Sequence, residues 1–240
     1  MSRIKIGTSG YSYFWNEGKP TPFEWYVKQG FDTVEINASF YRFPSPIWIK
    51  AWRNSPKGFD FSIKVHRFIT HYAKLRGKAI GLWKRFIQPL KSMEDKISFW
   101  LFQMPPSFKY SDKNMMVLTN FFKELNLGNK AVIEFRDESW WRNINALRDL
   151  GIAFCSVDAP ELPRDIVAMN DVVYVRLHGR DVWYNYEYLD EELDEIVNSI
   201  NQLQASRKYI YLNNNHGMLP NGKYLMKIIR KNDNPKDLKA

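Results

Sequence analysis

Short runs of β-branched and aromatic residues recur along this chain, and the segments between them carry apolar residues at helical spacing. Eight runs predict strands: Ile4–Thr8, Thr33–Asn37, Phe59–Val65, Ile97–Gln103, Ala131–Arg136, Ile152–Asp158, Val172–His178 and Tyr209–Asn213. Trp83, Phe86, Ile87 and Leu90 recur with helical period, as do Leu189, Leu193, Ile196, Val197 and Ile200. Ser111 and Asp112 are placed to start a helix carrying Met115, Leu118, Phe121 and Phe122, with Gly128 in the loop behind it. Ser139 is placed to cap a helix that runs through Leu150 and ends at Gly151.

Eight strands alternating with helices predict an α/β fold, a single (β/α)8 TIM barrel over residues 1–230, with 231–240 as a polar tail expected to fray. The competing architecture is an open doubly wound sheet. Gly7-Thr8-Ser9-Gly10 lacks the glycine spacing that such a sheet places after its first strand, so the barrel is favoured.

Buried parallel strands should be near-continuously apolar, yet these break that rule toward their C-terminal ends. Glu35 and Asn37 share a face because strand side chains alternate, as do Ser62, Lys64 and His66. Gln103 ends the fourth strand. Glu134 and Arg136 lie together on the fifth, Asp158 ends the sixth, and Arg176 and His178 share a face of the seventh. The eighth runs into Asn213, Asn214 and Asn215. Active sites of this fold lie at the C-terminal face, so the polar set is expected to converge at one barrel mouth. The blander expectation is a buried salt-bridge network, for instance Glu35 with Arg136 and Glu134 with Arg176.

Composition changes this picture little. The 240 residues carry net charge +9, which suits phosphates but also suits a lysine-rich solvated surface. Aromatic residues at 16% fall mostly at periodic positions and are expected in the core. No apolar run is long enough for a membrane span and no secretory leader opens the chain. The single Cys155 cannot form an internal disulfide, and a cytoplasmic setting is expected. Cys155 is expected to be an inert core thiol facing the helices.

The ordered set Gly7-Thr8-Ser9-Gly10-Tyr11-Ser12-Tyr13, Val34-Glu35-Ile36-Asn37-Ala38-Ser39-Phe40-Tyr41, Phe61-Ser62-Ile63-Lys64 and Ile69-Thr70-His71 continues with Gln103-Met104-Pro105-Pro106-Ser107-Phe108 and Glu134-Phe135-Arg136. Ser139-Trp140, Asp158, Arg176-Leu177-His178-Gly179, Asn213-Asn214-Asn215 and Gly217 complete it. Together they resemble the YecE-like family, domain of unknown function seventy-two. The resemblance spans almost the whole chain and implies a TIM barrel without naming a reaction. The chain departs from the family pattern in its last helix, at Leu219, Pro220, Asn221 and Gly222.

Glu35, Glu134, Asp158 and His178 are the candidates for proton transfer, since carboxylates and imidazole in a partly dry mouth can be tuned toward neutral pH. Asn37, Tyr41, Lys64, His71, Gln103, Arg136, Arg176 and Asn213 are the candidates for substrate contact, the two arginines as forks for a carboxylate or phosphate. Tyr11, Tyr13, Phe40 and Tyr41 could wall a ring-bearing ligand. These residues predict a hydrolase, isomerase or lyase acting on a small anionic or sugar-like substrate. The alternatives are a metal-dependent nuclease or phosphodiesterase, and a non-catalytic barrel that binds nucleic acid or a partner. No cofactor and no required metal are expected, because the four His are dispersed and three cations share the mouth.

Overall fold

A computed structural model describes residues 3–233. Among the described residues nine strands form: β1 Ile4–Thr8, β2 Thr33–Ile36, β3 Asp60–Lys64, β4 Ile97–Gln103, β5 Ala131–Glu134, β6 Ala153–Asp158, β7 Ala168–Met169, β8 Val172–Leu177 and β9 Arg207–Leu212. Seven α-helices lie among them: α1 Pro22–Lys28, α2 Pro46–Arg53, α3 Ala79–Ile87, α4 Asp112–Leu125, α5 Ser139–Arg142, α6 Asp190–Gln202 and α7 Met218–Asp233. Eight parallel strands with intervening helices make this a (β/α)8, TIM-barrel-like fold.

The chain divides into two compact units, Glu35–Cys155 and Met1–Val34 with Ser156–Ala240. In the first, β2, β3, β4, β5 and the start of β6 run side by side, in parallel register at Lys64↔Leu101, Gln103↔Glu134 and Ile133↔Phe154. Its core is aromatic. Trp83 packs edge-on to Trp100 at 5.1 Å, Phe102 meets Phe122 at 5.1 Å, and Phe135 stacks on Trp140 at 4.0 Å. In the second unit the end of β6, β8, β9 and β1 follow one another, and the short β7 pairs antiparallel with β8.

The local signals act where their chemistry places them. Ser111 Oγ accepts from Asn114 N–H at 3.2 Å to start α4, and Asn126 in the left-handed region ends it. Thr21 and Ser45 cap α1 and α2 in the same way, each with proline at the first helical position. Gly151 is left-handed, as a C-cap requires. Ser139 does not cap a helix. It is the first residue of α5, its Oγ donates to Asp137 Oδ1 at 2.5 Å and accepts from Tyr110 N–H, and the segment from Ile144 to Leu150 tightens to 3-10 geometry. Several predicted strands are shorter than their apolar runs, and β7 had no alternating pattern to announce it. The helix expected between each pair of strands is missing from one connection among the described residues, β6 to β8, which carries β7 instead.

Strand β1 has its ladder with β9 and ends the strand order on its other side. There a side chain substitutes for a ladder. Tyr26 Oη accepts from Thr8 N–H at 2.9 Å and donates to Thr33 C=O at 2.9 Å. Asp32 continues the link, its N–H donating to Ile6 C=O at 3.0 Å and its Oδ2 accepting from Ile6 N–H at 3.2 Å. The strands approach so closely that a Cβ on Gly7 would sit 2.4 Å from Thr33 O, which explains glycine there. Burial pushes the Tyr26 hydroxyl well above its usual pKa, so it remains a donor.

Tyr26→Phe leaves a buried N–H and a buried C=O without this partner. The expected cost is about 1–3 kcal/mol in urea denaturation. An unchanged midpoint would show that the hydroxyl is not what joins Thr8 to Thr33.

Candidate functional site

Glu35–Cys155 holds the denser cluster. Glu134 ends β5 with no exposed surface, and Arg136, two residues on, turns its Nε to within 2.5 Å of Glu134 Oε1. Cys155 on the neighbouring β6 lies with its Sγ 3.8 Å from Glu134 Oε2. The thiol therefore faces the carboxylate and not the helices, because alternation along β6 puts Phe154 against Trp141 instead. Lys64 ends β3, nine-tenths buried, with its ammonium 4.6 Å from the Phe40 ring. Ser39 Oγ lies 2.6 Å from both Ile36 O and Lys64 O, tying the turn after β2 to the end of β3.

His71 stands beside this group. Its ring meets Phe40 edge-on at 4.8 Å, and its Nδ1 lies 2.9 Å from Thr70 Oγ1. Burial, then the positive fields of Lys64 and Arg136, lower its pKa to about 4 against the opposing pull of Glu134. His71 is thus neutral at physiological pH while surrounded by cations. Glu35 is wholly buried on β2, Asn37 and Gln103 are half-buried at strand ends, and Tyr41 is 62% exposed.

Met1–Val34 with Ser156–Ala240 holds a second, drier group. Arg176 and His178 have no exposed surface, and Arg176 donates to Ser9 Oγ at 3.1 Å. Arg176 Nη1 lies 3.4 Å from His178 Nε2, and the Asn213 amide 3.1 Å from His178 Nδ1. A guanidinium has no acceptor, so His178 can take that contact only as an acceptor on Nε2. Trp183 and Tyr184 close over the imidazole, each ring 5.3 Å away. Gly179, at φ +110°, makes this fold-back possible, since a Cβ there would lie 2.5 Å from Tyr186 Cβ.

Two residues expected on the polar faces lie elsewhere. Asp158 shares its face of β6 with Ser156, and both line a cleft of about 500 Å³ beside Val175, Leu177 and α6. The cleft occupies the helix layer along the connection that lacks a helix. Asp158 Oδ2 accepts from Arg180 Nε at 3.1 Å, and Arg180 also bridges to Glu192 and Glu195 at 3.2 Å each. His66 packs among Phe43, Phe68 and Phe86, because β3 ends at Lys64 and alternation stops with it. Glu134 has an ion pair with Arg136 on its own segment.

Sequence reasoning did not single out Arg180, and it gave Thr70, Lys74 and Asn221 no part in the site. Asn221 is buried, accepting from Tyr188 N–H at 3.2 Å and donating to Tyr188 C=O at 2.9 Å, so the departure in the last helix is built into a loop anchor. Its one signal was an amide in an otherwise apolar helical stretch. Among the described residues, no three His, Cys, Asp or Glu side chains gather as a metal site.

Residues 5–236 match the family described as protein of unknown function DUF72. The UPF0759 protein YunF of Bacillus subtilis is 24% identical, with 83% of each chain covered. A DUF72 family protein of Thermotoga maritima, TM1631, superposes with TM-score 0.83 at 27% identity, covering 95% of this chain and 99% of its own. The DUF72 protein EF0366 of Enterococcus faecalis follows at TM-score 0.79 and 20% identity, covering 95% of each. SacUVDE, at TM-score 0.51 and 10% identity over 97% of this chain and 99% of its own, is similar in fold alone.

His71 makes the acid limb of stability testable. Its folded pKa lies near 4 against an ordinary 6.5, so the unfolded chain takes up the proton first as pH falls. The stability it contributes is complete above about pH 6.5 and is lost progressively toward about pH 4. His71→Gln should therefore lose less of its urea midpoint between about pH 7 and about pH 4.5 than the wild type. Equal losses would mean that His71 is not a titrating group in this window.

Proposed function

Since the chain belongs to the DUF72 family, which is described as of unknown function, its chemistry has to be read from its own residues, and we propose an enzyme that moves a proton on a small anionic or sugar-like substrate at the C-terminal ends of its strands. The observation that carries this reading is a neutral imidazole, His71, in the field of Lys64, Arg136 and Lys74, with the Glu134 carboxylate opposing them. Such a setting suits an anion, and it changes when one arrives. A bound anion would cancel part of the positive field and raise the His71 pKa toward the range useful for acid–base work.

Within this reading Lys64 and Arg136 attract the anion, the arginine through its planar fork. Nδ1 of His71 is engaged by Thr70, which leaves Nε2 to exchange a proton with substrate. Glu134, in contact with Arg136, is the partner carboxylate. Glu35 and His178 remain candidates on their own strands, whereas Asp158, held by Arg180 in the helix layer, is assigned a structural part. Hydrolase, isomerase and lyase chemistry all use these groups, and enrichment of metabolites on the purified chain would choose among them. The expected setting is the cytoplasm, where the buried Cys155 stays reduced. No helix among the described residues is long and apolar enough to cross a membrane.

Sulfate does not itself titrate near neutrality and is the cleanest probe. Calorimetry at about pH 6 in two buffers of different ionisation enthalpy should show uptake of up to about one proton per sulfate bound. The uptake should disappear in His71→Gln while sulfate binding persists. Binding with no proton uptake in the wild type, or the same uptake in the variant, would overturn the reading.

A further inference from the structure

The charge on this chain is not evenly spread. Between residues 36 and 93 twelve Lys and Arg stand against one acidic residue, Asp60, an excess larger than the +9 of the whole chain. The turns after β2 and β3 both lie in this stretch and contain no carboxylate between Ile36 and Phe59 or between Phe61 and Met93.

These same turns expose aromatic rings. Tyr41 is 62% exposed, Tyr72 65% and Phe68 45%, although a phenol ring at such exposure gains little from the core. The rings are not scattered. The Arg67 guanidinium lies 5.7 Å from the Tyr41 ring and 5.9 Å from the Tyr72 ring, and Tyr72 continues to Phe68 at 5.4 Å. Arg42, exposed beside Tyr41, lies 5.3 Å over the Trp48 ring. Among the described residues no carboxylate pairs with Arg42 or Arg67, and Arg67 Nε is buried without a hydrogen-bond partner. At the inner end Phe40 meets Tyr41 at 5.0 Å and also touches His71 and Lys64.

We propose that Tyr41, Arg67, Tyr72 and Phe68 form a binding track for single-stranded nucleic acid. Unpaired guanidinia take the phosphates, and the exposed ring faces stack unpaired bases, a combination that tolerates any sequence because every base has a π-face. A duplex keeps its bases stacked on one another and offers these rings nothing, so the track discriminates strand from duplex. An acidic protein partner would satisfy the cations but leave the protruding tyrosine faces without a planar ligand. The inference goes beyond the reaction proposed above and does not depend on it. Should both hold, the strand's phosphate is the anion delivered past Phe40 toward His71.

The test uses the full chain and a fluorescein-labelled fifteen-nucleotide oligothymidylate, read by anisotropy over a range of salt. Wild type should bind the strand at least about tenfold more tightly than a duplex of equal length. Tyr41→Ala and Tyr72→Ala should each weaken strand binding about tenfold with little change in salt dependence, since stacking releases no counterions. Arg67→Gln should lower the slope of log K against log salt by about 0.7, the loss of one phosphate contact on a single strand. Lys84→Gln with Arg85→Gln, basic residues on α3, serves as the comparison and should leave the tyrosine-dependent preference intact. Strand binding unaffected by either tyrosine variant, or duplex and heparin bound as tightly as the strand, would overturn the proposal in favour of a basic surface. Self-association in sedimentation that Tyr41→Ala abolishes, with strand binding unchanged, would overturn it in favour of an interface between copies. The proton-uptake experiment compares wild type with His71→Gln and uses none of these variants, so failure here leaves it unaffected.

Discussion

A charged side chain with no exposed surface must be met by an opposite charge or by enough hydrogen bonds, and this condition organises the strand ends of the protein. Glu134 meets it through Arg136, two residues further along the same chain segment, so the pair needs no long-range coincidence to form. Once Arg136 is committed there, its remaining field falls on the neighbouring imidazole. Burial first, then the field of Lys64 and then that of Arg136, keep His71 neutral. Arg176, with no exposed surface, donates to Ser9 and lies against the equally buried imidazole of His178.

The ion pairs of the helix layer follow the same condition with a different outcome. Asp158 looks like a strand-end catalytic acid on paper, but the missing helix after β6 leaves a polar cleft on its side of the strand. Arg180 fills the electrostatic need, and through Glu192 and Glu195 it also fastens the loop after β8 to α6. Burial draws the Arg180 pKa down, but its three acidic neighbours outweigh that and the net direction is upward. Burial raises the Asp158 pKa while Arg180 draws it down, and the net upward direction reflects the greater cost of desolvation.

Aromatic residues divide into two populations with different consequences. Trp52, Trp140, Phe86, Phe102 and their neighbours are sealed in the core of their unit. Tyr41, Tyr72 and Phe68 sit on turns where the backbone gives them no apolar layer to enter, and they remain exposed beside uncompensated arginines. A share of the basic charge therefore lies against ring faces instead of being solvated at random, which is the distinction that matters for recognition.

Residue order alone determined the alternation of strands and helices, and with it the (β/α)8 class, because periodicity of two and of 3.6 is a local property of the chain. It also determined the helix start at Ser111 and the stop at Gly151, whereas the ion pair of Glu134 with Arg136 came from the structure. Family resemblance reached the same fold by an independent route and left the reaction open. Tertiary structure alone decided which face a residue took once its strand had ended. His66 turned into the helix layer because β3 stops at Lys64, and Asp158 and Cys155 exchanged the sides expected of them because the parity of β6 is set by Phe154 docking on Trp141. It decided, too, that His71 is neutral, since its burial comes first and the fields of Lys64 and Arg136 add to it, and neither burial nor the field of a residue such as Arg136 has a signature in local sequence.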